Sequence, residues 1–306
     1  MISFRYHIVS LVAVFLALAI GIVVGTTALN GPVTSDLRHQ VNDLKNDRTR
    51  LANQVKDLQG QVDTAGTFAS TFGAHIVADV LKDQSVLMIE LPGTPGSMAD
   101  GVAAQLTNAG AKLTGKLQLA PGYVDATQGS NIQSLATSSS VHPTGCTLPT
   151  TSDAGQLGGA LLACVLTGKD ASADDLTTVL SAFSGLHMIE SDPSGITAAK
   201  DVVVVGDGSQ PKDSYAGQAE LALVSQLNTF GGHVVVAGDS GSASGNGIVK
   251  LVRDGAAKSD VSTVDNADTA FGQVSTALAV QAAANSQSGQ YGTQAGAQTL
   301  FPNPSK

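Results

Sequence analysis

Residues 201–208 read Asp-Val-Val-Val-Val-Gly-Asp-Gly. Four consecutive valines between polar turn residues are typical of a strand that is buried on both faces of a parallel sheet. Two other short apolar runs, 86–91 and 233–237, have the same form. Segments with helical spacing of apolar residues alternate with these runs, at 98–109, 217–230 and 269–284. The alternation predicts an α/β fold, with a mostly parallel three-layer domain over residues 66–284.

Residues 121–168 interrupt this alternation, because they are rich in Ser, Thr and Gly and only weakly periodic. We interpret them as an insertion or lid within the domain. They contain both cysteines of the chain, Cys146 and Cys164. In an oxidising compartment the two are expected to form a disulfide, which stabilises the fold by about 3 kcal/mol in the chain-entropy account. Two free buried thiols are the alternative.

The last stretch, residues 285–306, is rich in Gln, Gly and Ser. It lacks the apolar content from which a core is built. The composition therefore predicts a disordered tail.

A heptad pattern precedes the domain, within residues 31–65. Seven of its eight seam positions are Leu or Val, and the eighth, an a position, is Arg48. β-Branched residues at a and Leu at d favour a parallel two-stranded coiled coil, hence a homodimer. The alternative is an amphipathic helix that packs on its own domain. The seam consists of Leu37, Leu44, Leu51 and Leu58 at d and of Val41, Val55 and Val62 at a.

The segment before the heptads contains twenty-two consecutive uncharged residues, 8–29. At about 1.5 Å of rise per residue they span the ~30 Å hydrocarbon core, so residues 1–30 are predicted to be a transmembrane anchor. A cleavable signal peptide is the alternative. Ala17, Gly21 and Gly25 recur every four residues and form a small-residue face on which a second helix can pack. The triplet Asn30-Gly31-Pro32 is predicted to interrupt the helix.

The orientation of the anchor follows from its position in the chain. Arg5 precedes it, but Arg38, Lys45 and Arg48 follow it closely, so the count of basic residues does not decide the topology. Only a few residues precede the anchor, and the cysteine pair favours an oxidising compartment. We therefore expect a single-pass protein of the cell envelope, with a cytoplasmic N-terminus and its bulk outside the cytoplasmic membrane.

Composition excludes one class of partner. There are 25 acidic against 16 basic residues, and the net charge of −9 repels nucleic acid. The chain also has no Trp and few other aromatic residues on which bases stack. Nucleic-acid binding is therefore not expected.

The sequence shows no signature of catalysis. Gly206-Asp-Gly208 lacks the third glycine of a dinucleotide-binding loop, and the glycines at 238–247 lack the Gly-Lys-Ser/Thr ending of a phosphate loop. Nucleophile-elbow and zinc-protease motifs are absent from the sequence as well. We therefore predict a protein without catalytic function and without catalytic or cofactor-binding residues.

Four carboxylates stand at or just after the ends of predicted strands: Glu90, Asp207, Asp239 and Asp265. The carboxyl ends of parallel strands meet at one edge, where α/β proteins bind ligands, so the four are candidate ligands of a cation. The alternative is that these residues cap helices or begin turns. All-carboxylate sites suit hard cations.

Two parts of the chain resemble a known family. The N-terminal stretches Met1-Ile-Ser-Phe-Arg-Tyr-His-Ile-Val-Ser-Leu11 and Phe15-Leu-Ala-Leu-Ala-Ile-Gly21, with the heptads after them, are similar to the mycobacterial copper transport protein B family of actinobacteria. So is Val261-Ser-Thr-Val-Asp-Asn-Ala-Asp268, which leads into Phe271-Gly-Gln273. The resemblance implies a role in copper efflux or resistance and an outer-membrane location. It is also the only indication of copper in the sequence.

The same resemblance implies a second function. Corynebacterial relatives are implicated in cell separation, as partners of a second membrane protein. The two hypotheses are a copper-transport protein of the envelope and a dimeric scaffold that works with a membrane partner.

Overall fold

The computed structural model describes residues 4–168, 171–212 and 214–303, with only the backbone described for 27–35. The chain forms two compact units, residues 1–64 and 65–306.

The described residues of the first unit, 4–64, form a single helix. Helix α1 (Phe4–Val77) begins in this unit and ends in the second. Its first 23 described residues, Phe4–Thr26, are apolar and long enough to cross a membrane, two properties that signal sequences share. The helix continues through Asn30-Gly31-Pro32, so the predicted interruption is wrong. An interior proline costs about 3 kcal/mol, and strongly helical segments on both sides oppose the break.

The heptad seam of α1 is uncovered in the single chain. Its leucines and valines are more than half exposed, although apolar side chains at regular helical spacing are normally buried. The exposed members are Leu37, Val41, Leu44, Leu51, Val55, Leu58 and Val62.

The second unit is built on a six-stranded sheet in which every neighbouring pair is parallel, in the order β2-β1-β3-β4-β5-β6. This arrangement confirms the predicted α/β class. The three apolar runs predicted as strands are β1, β3 and β4. The strands are β1 (Ser85–Glu90), β2 (Lys112–Gln118), β3 (Asp201–Gly206), β4 (His233–Gly238), β5 (Ser262–Val264) and β6 (Gln290–Tyr291).

The described residues of this unit contain seven further helices, together with short 3-10 turns. Three of them, α2, α6 and α8, are the helices that apolar spacing predicted. The helices are α2 (Gly96–Asn108), α3 (Gly129–Thr137), α4 (Ala154–Thr167), α5 (Ala173–Gly185), α6 (Tyr215–Thr229), α7 (Ile248–Asp254) and α8 (Ala270–Ala284). The 3-10 turns are Pro121–Val124, Ala126–Gln128, Pro193–Gly195 and Ala256–Ser259.

Each face of the sheet carries its own core. Alternate residues of a strand point to opposite faces, so Val202 and Val204 join the core beneath α4, α5 and α6. Val203 and Val205 join the core beneath α2, α8 and the end of α1. Burial on both faces explains why β3 is a continuous valine run.

The segment 121–168 is not a lid, because α4 lies inside it and forms part of the core. Every residue of α4 is buried except Gln156, in its first turn. The helix packs closely against α6. A Cβ added to Gly159 would lie 3.0 Å from the Cα of Leu223, so the two backbones approach at that point. The Gly-rich composition that suggested a loop therefore reflects close helix packing.

The prediction of a disordered tail at 285–306 is wrong for residues 285–303. β6 adds to the sheet beside β5, and both of its residues are buried. Polar contacts hold it: the Gln290 side chain donates to the carbonyls of Lys258 and Val261 at 3.0 and 3.1 Å and accepts from Thr263 Oγ1 at 2.6 Å. A prediction based on apolar content missed β6, because polar side-chain hydrogen bonds hold this strand in place.

Candidate functional site

The four carboxylates predicted as cation ligands lie at the carboxyl ends of their strands. Glu90 ends β1, Asp207 follows β3, Asp239 follows β4 and Asp265 follows β5. The sheet is parallel, so these positions share one edge. Their side chains, however, have different partners.

Asp207 and Asp239 interact directly. Asp239 Oδ1 accepts hydrogen bonds from the backbone N–H groups of Gly208 and Ser242, at 2.9 and 2.8 Å. Burial raises the pKa of Asp207 above its usual value, and the neighbouring negative charge of Asp239 raises it further. Asp207 therefore holds its proton more readily than an exposed aspartate does.

Asp268 belongs to the same acidic edge and was not among the predicted residues. Burial raises the pKa of its carboxyl, and the charges of Asp239 and Asp265 add to the effect. The sequence pattern did not predict Asp268, because it follows the end of β5 by four residues and resembles an ordinary turn residue.

Asp265 does not line a cation site. Its side chain is 0% exposed, and Oδ2 accepts a hydrogen bond from Arg253 Nη1 at 2.8 Å. The backbone N–H groups of Thr293 and Gln294 donate to the same carboxylate, at 2.7 and 3.0 Å. Asp265 is thus a structural anion that ties α7 to the segment after β6.

Glu90 has a different environment again. Burial raises the pKa of its carboxyl, while the charge of Lys116 on the neighbouring strand lowers it. Lys116 Nζ itself lies 2.7 Å from Asp100 Oδ1 in an exposed ion pair.

The predicted four-carboxylate rim is therefore not assembled. Within 4–168, 171–212 and 214–303, no three His, Cys, Asp or Glu side chains are grouped to hold a metal ion. The parallel topology brings the strand ends to one edge of the sheet, but Asp265 forms a buried ion pair with Arg253 and does not face that edge's other carboxylates as a ligand.

The sulfur atoms of the described residues are either joined in a disulfide or buried in the cores. Cys146 and Cys164 form the predicted disulfide, with their Cα atoms 6.2 Å apart. The bridge attaches the loop before α4 to the buried interior of that helix. Met88, Met98 and Met188 lie in the cores.

A groove of about 930 Å³ lies at the opposite edge of the sheet. Cys146 and Pro149 form one wall, and Phe230 and Gly231 lie before the start of β4. Lys200, directly before β3, supplies a positive charge. The sequence did not predict this groove, since its walls come from segments far apart in the chain.

A buried polar cluster lies beneath α6. The Glu220 side chain is 2% exposed, and Gln210 Nε2 donates to its Oε1 at 3.0 Å. The hydroxyls of Tyr123 and Tyr215 are buried, with no hydrogen-bond partner in the part of the chain described. Burial raises the pKa of Glu220 to about 7, and burial followed by the charges of Tyr215 and Glu220 raises that of Tyr123.

The sequence contained a weak signal for this cluster. Glu220 stands three and four residues before Leu223 and Val224, both fully buried. Those spacings place it on the apolar face of α6, where a carboxylate is unusual.

Comparison with known proteins identifies the family. The family model described as "Copper transport outer membrane protein, MctB" matches residues 1–302. The chain belongs to the MctB family. The "Copper transporter MctB" of Mycobacterium tuberculosis strain ATCC 25618 / H37Rv is 31% identical over 311 residues, which cover 98% of this chain and 99% of the relative. The MctB protein of Mycobacterium leprae strain TN is 32% identical over 316 residues, with the same two shares covered. The resemblance seen in the sequence is thus confirmed over almost the whole chain.

Proposed function

We propose that this protein is a membrane-anchored envelope protein that acts in copper transport or copper resistance without catalysing a reaction. The match to the MctB family over residues 1–302 carries the proposal. One apolar helix at Phe4–Thr26, followed by a folded α/β unit, supports an anchored protein. The N-terminus is cytoplasmic in this proposal and the α/β unit extracytoplasmic.

The sulfur chemistry shapes how such a protein handles copper. Cu(I) prefers thiolate and thioether ligands, but both cysteines are joined in a disulfide and the methionines of the described chain are buried. The single chain therefore acts on copper indirectly, through an assembly with further copies or with a second membrane protein.

The decisive test is the phenotype of a deletion strain grown with and without added copper. Copper sensitivity that the intact gene restores supports the proposal. Normal growth in copper, combined with chains of unseparated cells, contradicts it and supports the scaffold alternative. The observation that favours this alternative is the exposed heptad seam, which presents a surface for assembly.

The assembly we propose is a parallel homodimer through that seam. Pairing buries the exposed leucines and valines, and Arg48 at an a position restricts the oligomeric state at some cost in stability. The small-residue face of Ala17, Gly21 and Gly25 allows the two anchors to approach each other.

Replacement of Leu44 by cysteine tests this dimer. In a parallel coil the d positions of two chains face each other, so Leu44→Cys is expected to form a disulfide-linked dimer in membranes. The measurement is non-reducing electrophoresis of the full chain. Asn46→Cys, on the outer face of the same turn, is the control and should stay monomeric. Equal crosslinking of both variants, or of neither, contradicts the parallel coil.

A further inference from the structure

The last turns of α1, within the second unit, have one face fixed against the domain. Ala69, Gly73 and Val77 recur every four residues and are buried. A Cβ on Gly73 would lie 2.7 Å from Val274 Cγ2, so the helix backbone lies directly on α8. This contact fixes the rotation of the segment about its axis.

A second face of the same turns is apolar and uncovered. Phe68, Phe72 and Ile76 are 55%, 48% and 51% exposed and also recur every four residues. The rings of Phe68 and Phe72 have their centroids 4.8 Å apart. Single exposed apolar residues are common, but three in a continuous row mark an interaction surface. We call these three residues the aromatic stripe.

The stripe cannot be covered by its own domain through rotation of the helix. Its members immediately precede Ala69, Gly73 and Val77 in sequence, and turning the stripe inward would turn those residues out. Residues 64–78 also contain no Asp, Glu, Lys or Arg. A helix that binds an anionic lipid surface normally carries basic residues beside its apolar face, so the composition favours a protein partner.

The heptad register identifies that partner. Phe72 lies fourteen residues, two heptads, after Leu58 and is a d position; Ile76 is related in the same way to Val62 at a. The a position between Val62 and Ile76 is Ala69, which is buried against the domain. The simple coil therefore ends near Ala69, where the aromatic stripe begins. A second copy that pairs through the seam brings its own stripe alongside.

We propose that Phe68, Phe72 and Ile76 pack against the same three residues of a second copy, forming a dimer contact at the base of the α/β unit. This contact rests on the proposed parallel dimer and extends it beyond the coil. The two α/β units are then held side by side, because the stripe is fixed to its domain by Gly73 and its neighbours.

Cysteine crosslinking separates this contact from the coil. Phe72→Cys in the full chain is expected to crosslink in membranes as Leu44→Cys does, while Ser70→Cys, exposed on another face of the same turn, stays monomeric. If Leu44→Cys crosslinks and Phe72→Cys does not, the stripe contact is wrong and the coil stands. If neither crosslinks, the dimer itself is wrong.

A second measurement tests the energetics. The variant Phe68→Ala/Phe72→Ala/Ile76→Ala is expected to raise the dimer dissociation constant of the detergent-solubilised full chain by at least about tenfold, since aromatic residues dominate interface energies. Its thermal midpoint as a monomer should not fall, because the residues removed are exposed. An unchanged dissociation constant overturns the proposal. The proposal is also wrong if the triple variant still forms the dimer but no longer binds some other protein.

Discussion

Replacement of Arg253 by methionine is expected to lower the free energy of unfolding by about 3–5 kcal/mol, because it leaves the carboxylate of Asp265 buried without its cation. Both side chains are almost completely buried, and their atoms Nη1 and Oδ2 are 2.8 Å apart. The guanidinium also donates to the carbonyl of Tyr291 at 2.8 Å and to Thr263 Oγ1 at 2.9 Å. Its loss therefore loosens β5 and β6 together. Urea unfolding of the full chain in detergent, followed by near-ultraviolet circular dichroism, measures the change.

Helix α7 offers a matched control for this prediction. Lys250 precedes Arg253 by one turn and pairs with Asp254 at 2.6 Å, but the side chains of this pair are 41% and 63% exposed. Exposed pairs contribute about 0–1 kcal/mol, so Lys250→Met should change stability little. Equal losses for the two variants would show that the buried pair is not special. The double variant Arg253→Met/Asp265→Leu is expected to recover part of the lost stability.

The second large effect concerns pH. Burial raises the pKa of Glu220 from 4.5 to about 7, against a smaller lowering by the hydrogen bond from Gln210. Because the folded pKa lies above the unfolded one, its stabilising contribution is full below about pH 4.5 and is lost as the pH rises through 7. Glu220→Gln removes this loss, since the amide is neutral at every pH and its oxygen can still accept from Gln210.

We therefore expect Glu220→Gln to gain stability relative to the wild type between pH 5 and pH 8, by on the order of 3 kcal/mol. Denaturant titrations at a series of pH values measure the difference between the two proteins, which cancels the titration of other groups. Glu190→Gln, at an exposed glutamate, is the control and should follow the wild type. A difference between Glu220→Gln and the wild type that does not vary with pH would refute the assignment. Tyr123, Tyr215 and Asp153 are the other titratable groups around this cluster.

The sequence predicted the parts of the fold that apolar periodicity encodes. β1, β3 and β4 are runs of apolar residues because they are buried on both faces, and α2, α6 and α8 have a clear helical spacing. Helix α4 was missed because its Gly and Ala residues serve close packing against α6, a composition that also suits loops. The strand β6 was missed because Gln290 is held by hydrogen bonds to residues about thirty positions earlier.

The candidate site was predictable only in outline. Parallel topology places Glu90, Asp207 and Asp239 at one edge, and this follows from strand positions alone. The ion pair between Asp265 and Arg253 could not be predicted from strand positions, because Arg253 lies on helix α7. The burial of Glu220 depends in the same way on contacts between distant segments, which a local pattern records only faintly.

The all-parallel sheet also implies an order of assembly. β3 and β4 are joined by residues 207–232, whereas β1 and β3 are joined by residues 91–200. The longer connection is about four times the length of the shorter, and closing it costs about 1.2 kcal/mol more in chain entropy, at roughly 0.6 kcal/mol per doubling. We expect the two valine strands to form one folding nucleus. β1 and β2 are separated only by residues 91–111 and pair locally, and this pair attaches to the nucleus later. Pulsed hydrogen exchange during refolding should protect the amides of Val204 and Val235, which lie between β3 and β4, before the amide of Val203, which faces β1. The Cys146–Cys164 bridge lies inside the longer connection and shortens it, so oxidation should accelerate this late step more than the first.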